Sequence, residues 1–231
     1  MSVTMSEQVL AAIRNSLENG PIAAVRASCP DAKGARLVPR DRGTEQRIAL
    51  FRERAESAGA NVHLATDVSA LKAIVRAVIP AHATVAKALT GRLSSRLRAP
   101  LSDLAPQGCS WIEVEEPDAR LFALQAAITD VDSAIAETGS IVLSSSRQCR
   151  RLISLIAEIH IALIWPEQIV SDLLDWCQGW GEAAASGAAG GLTIISGPSK
   201  TADIELNLVI GVHGPYQLHL IVMSGKDFAA A

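Results

Sequence analysis

Three polar turns carry residue types from which a site can be built. The first is Ser196-Gly197-Pro198-Ser199-Lys200-Thr201, which follows the β-forming segment Leu192–Ser196 and leads into Asp203 and Glu205. A strand that runs into a glycine turn exposes backbone N–H groups. Ser199, Lys200 and Thr201 add donors, so the segment suits a carboxylate or a phosphate. The G-x-x-x-x-G-K-[ST] spacing of a P-loop is absent. The same residues also make a plain turn in which Ser196 or Ser199 caps local backbone donors. Asp203 and Glu205 share a face on a strand and not on a helix, and the alternation of Ile204, Leu206, Leu208 and Ile210 favours a strand. The second turn is Val212-His213-Gly214-Pro215. His213 titrates near neutral pH beside a rigid turn. Acid/base work and a structural bond to a backbone carbonyl are both open to it. The third is Glu137-Thr138-Gly139-Ser140. There Glu137 serves as a base, a nucleophile or a hydrogen-bond acceptor, and Gly139 suits a turn that needs positive φ.

Other residues point away from particular chemistries. Cys29, Cys109, Cys149 and Cys177 are scattered, with no C-x-x-C pair, so no intrinsic metal cluster is expected. The formal net charge of -3 argues against a general nucleic-acid binder. Arg147, Arg150 and Arg151 form a basic loop that suits either an acidic partner or a solvated face. Trp176 and Trp180 lie four apart, which suits packing rather than base stacking. Glu7, Arg14 and Glu18 interrupt the N-terminal apolar pattern, so it does not read as a signal peptide. Leu152–Trp165 is too short to span a membrane and carries Glu158 and His160; it reads as a buried strand. A cytoplasmic location is expected.

The elements that must position these turns follow from periodicity. With 231 residues, 49% of them hydrophobic and only 3% aromatic, the chain can bury a substantial core built from Ala, Leu, Ile and Val. Val9, Leu10, Ile13 and Leu17 predict a helix over Met5–Leu17, with Ser6 as its cap. Pro21–Gly43 reads as a long connection, so residues 1–43 form a helix and extended arm ahead of an α/β domain over residues 44–231. Within that domain, Thr44 caps an amphipathic helix ended by Gly59. Asn61–Ala65, Ala83–Ala88 and Trp111–Val114 read as strands. Between them lie a helix over Val68–Ile79, capped by Asp67, and a partly helical Leu89–Leu104. This rhythm predicts a parallel sheet with crossover helices. Ala119–Ala127 reads as helix, and Ala134–Leu143 as two β-runs joined by the Glu137 turn. Ile159–Trp165 reads as a central strand, and Glu167–Trp180 as a helix opened by Pro166. Glu182–Gly191 reads as a low-complexity connection, and Leu192–Ser196 and Gln217–Val222 as the last strands.

Several motifs together resemble the LUD-domain family of lactate-utilisation proteins. They are AIAETGSIVL (Ala134–Leu143), Arg151-Leu152 with Leu155, HIALIWPEQIV (His160–Val170), SGPSKTADIE (Ser196–Glu205) and GVHGP (Gly211–Pro215). One departure is Ile128-Thr129-Asp130-Val131, read as a turn before Asp132, where the family pattern leads us to expect a glycine. The resemblance implies an open, parallel-rich α/β sheet with helices on both faces, similar to the ribose-isomerase/CoA-transferase group. It also implies a cluster-free subunit in the oxidation of L-lactate to pyruvate, part of an oxidoreductase complex whose iron–sulfur clusters sit on partner proteins. The alternatives are a stand-alone isomerase or transferase acting on a sugar phosphate or acyl-CoA, and a regulatory scaffold. Site residues do not come from the resemblance. Chemistry and geometry nominate Glu137 and His213 as catalytic, and Thr138, Gly139, Ser140, Gly197, Ser199, Lys200, Thr201 and Asp203 as ligand-binding. These turns are expected to converge at the carboxyl edge of the sheet, around a small carboxylate or phosphate-bearing ligand.

Overall fold

The computed structural model describes residues 9–12, 14–15, 42–88, 104–113, 119–144, 150–177, 191–202, 208–210, 214–225 and 228. The chain divides into two compact units, Met1–Leu37 and Val38–Ala231. In the first, residues 9–12 and 14–15 are helical, with Val9 and Leu10 exposed. Ser6 and most of the connection to Gly43 lie outside the described residues, as do 89–103 and the connection 182–190.

The second unit is built on a six-stranded sheet. Its members are β1 (Asn61–Ala65), β2 (Thr84–Ala88), β3 (Ser110–Glu113), β4 (Ala126–Asp130), β7 (Ile159–Ile164) and β12 (Gln217–Met223). They run in the order β1-β12-β7-β4-β2-β3, with every pair parallel. The last strand in the chain therefore enters between the first strand and β7. A smaller sheet stacks the order β8-β5-β6-β9, made of Ile169–Val170, Ser133–Ile135, Ser140–Ser144 and Leu192–Ile195. A separate antiparallel pair joins β10 (Lys200–Ala202) to β11 (Leu208–Ile210).

Alternation along the central strands sends side chains to two faces. Ile159, Ile161 and Leu163 of β7 join Ile221 and Met223 of β12 in one cluster. Helix α2 (Val68–Val78) covers it through Leu71 and Val75, one helical turn apart. Ala162 and Ile164 join Leu218, Leu220 and Val222 in a second cluster on the opposite face. That cluster takes in Phe51 and Ala55 of helix α1 (Thr44–Ser57) and Ile141, Leu143 and Ile169 of the small sheet. Farther along the same face, Ile153 of helix α3 (Arg150–Ile156) packs on Ala86 and Ala127. The expected open α/β sheet with helices on both faces is present, and a small mixed sheet shares the second face with α1 and α3.

Local differences from the sequence reading have physical causes. Ala119–Ala123 is a short 3-10 helix, whereas Ala126–Asp130 is a sheet strand with every residue buried. Two alanines suggest a helix, but a strand covered on both faces needs small apolar residues rather than alternation. Ile128–Asp130 is accordingly the end of β4 and not a turn. The stretch from Leu152 is not one strand: Arg150–Ile156 is helical, and the strand starts at Ile159. Pro166–Gln168 makes a 3-10 turn, Ile169–Val170 pairs with β5, and helix appears at 173–177. Asp172 takes the cap position there, its carboxylate accepting from Asp175 N at 2.7 Å. Gly43, not Thr44, precedes α1 and gives no side-chain cap. Asp67 does cap α2, accepting from Ala70 N at 2.7 Å.

Candidate functional site

The Ser196 turn is fastened to helix α1. Gly197 has φ +84°, and a Cβ there would lie 2.4 Å from Ala58 O. Only glycine allows that backbone so close to the helix end. Lys200 Nζ donates to the same Ala58 oxygen at 2.7 Å, a favourable place for a cation beside terminal carbonyls. The ammonium is thus spent on the helix end rather than on the space beyond the turn.

Two further links draw the turns together. Ser199 N donates to Pro215 O at 2.8 Å, which joins the Ser196 turn to the Gly214-Pro215 turn. The antiparallel register Ile141↔Ile195 sets Ser140 opposite Ser196, and their hydroxyls meet at 2.6 Å. Thr138 Oγ1 meets Ser140 Oγ at 2.7 Å and extends this chain of hydroxyls to the third turn. Gly139 has φ +64°, and its position against the Ala55 backbone has no room for a Cβ. Glu137 donates its backbone N–H to Ser171 O at 3.1 Å.

These contacts frame a cavity of about 250 Å³. Ser154 and Leu155 of α3 form one wall, and residues 193–199 form another. Gly214-Pro215 closes a third side, and His160 and Leu218 form the floor. His160 and Leu218 sit near the starts of β7 and β12. The turns therefore converge at the amino ends of the central strands, not at the expected carboxyl edge. The cause is connectivity: Gly214-Pro215 leads into the start of β12, and the Ser196 turn is bonded to it. Of the nominated residues, Gly197 and Ser199 line the cavity; Ser140 stands behind Ser196. Glu137, Thr138, Gly139 and Lys200 do not line it. Asp203 and His213, and the side chain of Thr201, lie outside what is described.

His160 is the residue that the reading of turns passed over. It is fully buried within an otherwise apolar strand. Its Nε2 lies 2.9 Å from Thr129 Oγ1 on the neighbouring β4, and among the described residues its Nδ1 has no hydrogen-bond partner. Burial lowers its pKa to about 3, so the ring is neutral at physiological pH. A polar residue inside the run Ile159–Ile164 was the available signal, because a buried polar group demands an account of its partners. None of the described lining residues is charged. The arrangement offers hydroxyls, backbone and a neutral imidazole to a small ligand. Among the described residues no group of three or more His, Cys, Asp or Glu is placed to hold a metal ion, and no helix is long and apolar enough to cross a membrane.

Two other features lie elsewhere. A hollow of about 660 Å³ opens at the carboxyl ends of β1 and β12, between Leu64, Ser224 and the Thr44–Arg52 side of α1. His63 and His219 stack on adjacent strands, with Nε2 and Nδ1 3.1 Å apart, and His219 Nε2 lies 3.0 Å from Gln217 Oε1.

Comparison with known proteins gives a consistent result. A family model described as the LUD domain matches residues 48–223. A Deinococcus radiodurans protein named Lactate utilization protein C is 33% identical over 210 residues, 87% of this chain and 90% of that protein. An Exiguobacterium protein of the same name is 36% identical over 118 residues; the match covers 49% of this chain and about half, 51%, of that relative. A crystal structure of a DUF162-family protein from D. radiodurans superimposes with a TM-score of 0.58 at 23% identity. It covers 80% of this chain and 99% of the other, a likeness of fold.

Proposed function

Because the chain belongs to the LUD-domain family, we propose that it is a cytoplasmic subunit of an L-lactate utilisation system. The observation that carries this reading is the near end-to-end similarity, 33% over 87% of the chain, to a protein named Lactate utilization protein C. Oxidation of L-lactate to pyruvate releases two electrons and two protons, and the electrons need a carrier. The four scattered cysteines lack the close spacing that iron–sulfur clusters use, which supports a division of labour. Partner proteins hold the clusters, and this chain binds and positions a small carboxylate. The cavity floored by His160 and Leu218 supplies a concave, largely apolar space with a few convergent polar groups, as ligand sites do.

The test is genetic and biochemical. A strain lacking this gene, with no second copy, should fail to grow on L-lactate as sole carbon source and recover when the gene is restored. The tagged chain should co-purify with iron–sulfur proteins from lactate-grown cells. Normal growth of the deletion strain on L-lactate would end this reading.

A further inference from the structure

His160 on the cavity floor and Thr129 beside it on β4 are two polar groups whose hydrogen bonds close best in one way. Thr129 is fully buried, and among the described residues His160 Nε2 is the partner of its hydroxyl. If the imidazole carried its proton on Nε2, it would donate to Thr129. The threonine hydrogen and the Nδ1 lone pair would then both be buried without partners. If Thr129 donates to Nε2, the threonine hydrogen is satisfied and the ring proton sits on Nδ1. Only one group, the Nδ1–H, is left to find an acceptor. His160 lines the cavity, and that Nδ1 is its unpartnered atom. Buried donors without partners are costly, so an acceptor oxygen that reached this nitrogen from the adjoining cavity would be favoured.

We propose that His160 Nδ1–H binds a carboxylate oxygen of a small 2-hydroxy or 2-oxo monocarboxylate held in this cavity, a ligand assignment that rests on the function proposed above. Size and charge narrow the ligand class. A space of about 250 Å³ falls below the usual range for drug-sized ligands, so it suits a few-carbon acid better than a whole nucleotide or acyl-CoA. No described lining residue carries a positive charge. Neutral donors can satisfy a single negative charge, whereas a doubly charged phosphate would lose its hydration without a counter-ion. Lys200, the nearest candidate by sequence, is bonded to Ala58 O instead. Ser199 at the rim and Ser196, itself tied to Ser140, supply hydroxyls for the second oxygen and the 2-substituent.

The experiment titrates pyruvate, L-lactate and inorganic phosphate into the full chain. Binding is read by calorimetry, and the His160 ring nitrogens by NMR. The free protein should show a neutral ring protonated on Nδ1. Pyruvate or L-lactate should bind saturably and shift that resonance, and phosphate should do neither. His160→Leu should weaken carboxylate binding about tenfold, the loss of one charge-assisted hydrogen bond. His160→Asn, whose amide can stand near the Nδ1 position, should stay within about threefold of wild type. If the leucine variant does not fold, Thr129→Val decides: it removes the group that fixes the tautomer and should weaken binding severalfold. Carboxylate binding that is unchanged in His160→Leu or, where that variant does not fold, in Thr129→Val, equal binding of phosphate, or no carboxylate binding would each overturn the proposal. Failure here together with a growth defect in the deletion strain would remove the site and leave the lactate role. Binding together with normal growth would do the reverse.

Discussion

Gly139 shows how one position can be fixed twice. Its φ of +64° lies in the left-handed region, and a Cβ would meet Ala55 N at 2.2 Å, against the backbone of α1. The first condition disfavours any β-carbon, and the second forbids it unless the helix moves. Helix α1 cannot move cheaply, because Phe51 and Ala55 are fully buried against the sheet. Gly139→Ala should therefore cost about 3 kcal/mol or more, the sum of a left-handed penalty and an overpacking penalty. Urea unfolding measures this, and a midpoint equal to wild type would refute it. The positive φ was readable from a glycine in a polar turn. The contact with α1 was not, because nothing in Glu137-Thr138-Gly139 names the helix that approaches it.

At the scale of elements, strand pairing decides which polar residues meet. The β6–β9 register sets Ser140 against Ser196, and Thr138 extends the contact. Ser140→Ala should leave both neighbours short of a partner and cost about 1–2 kcal/mol of stability. Thermal unfolding checks this, and Ser196→Ala combined with Ser140→Ala should cost less than the two single changes added together. Strictly additive effects would mean that the hydroxyls do not act as a pair. The same scale separates what the sequence revealed from what it hid. The Ile159 strand and the last strand were legible because β-branched and leucine runs between turn residues admit little else, and Asn61–Ala65 because Gly59 and the Asp67 cap bracket it between two helices. Strand β4 was hidden by Ala126-Ala127, whose small size suits a doubly covered strand only once the neighbours are known. The helix expected from Glu167 was displaced because Val131 O and Trp165 N both bond the Gln168 side chain, holding that segment as a turn. The two turns that meet across Ser199 and Pro215 were legible as polar turns. Their location at the amino ends of β7 and β12 was not. His160 gained its meaning from Thr129, on a different strand 31 residues earlier.

For the molecule as a whole, two buried histidines and one half-buried one link folding to pH. Burial lowers His160 to about 3. Burial first, then the adjacent His63, lowers His219 to about 4. Burial first, then Arg52, lowers His63. In each case the folded chain keeps neutral a ring that the unfolded chain protonates near pH 6.5. Between those limits the unfolded state binds more protons, so stability rises with pH. The full contribution is present above about pH 6.5 and is lost progressively as the pH falls toward the folded-state values. His160 alone, fully buried, should account for about 2 kcal/mol of that loss by pH 5. Wild-type urea midpoints should fall as the pH is lowered from about 7 to about 5. His160→Asn keeps a polar side chain that does not titrate, and its midpoints should fall less steeply. Parallel slopes for the two proteins would show that His160 takes up its proton in the folded state as readily as in the unfolded one, contrary to the burial that sets it apart here.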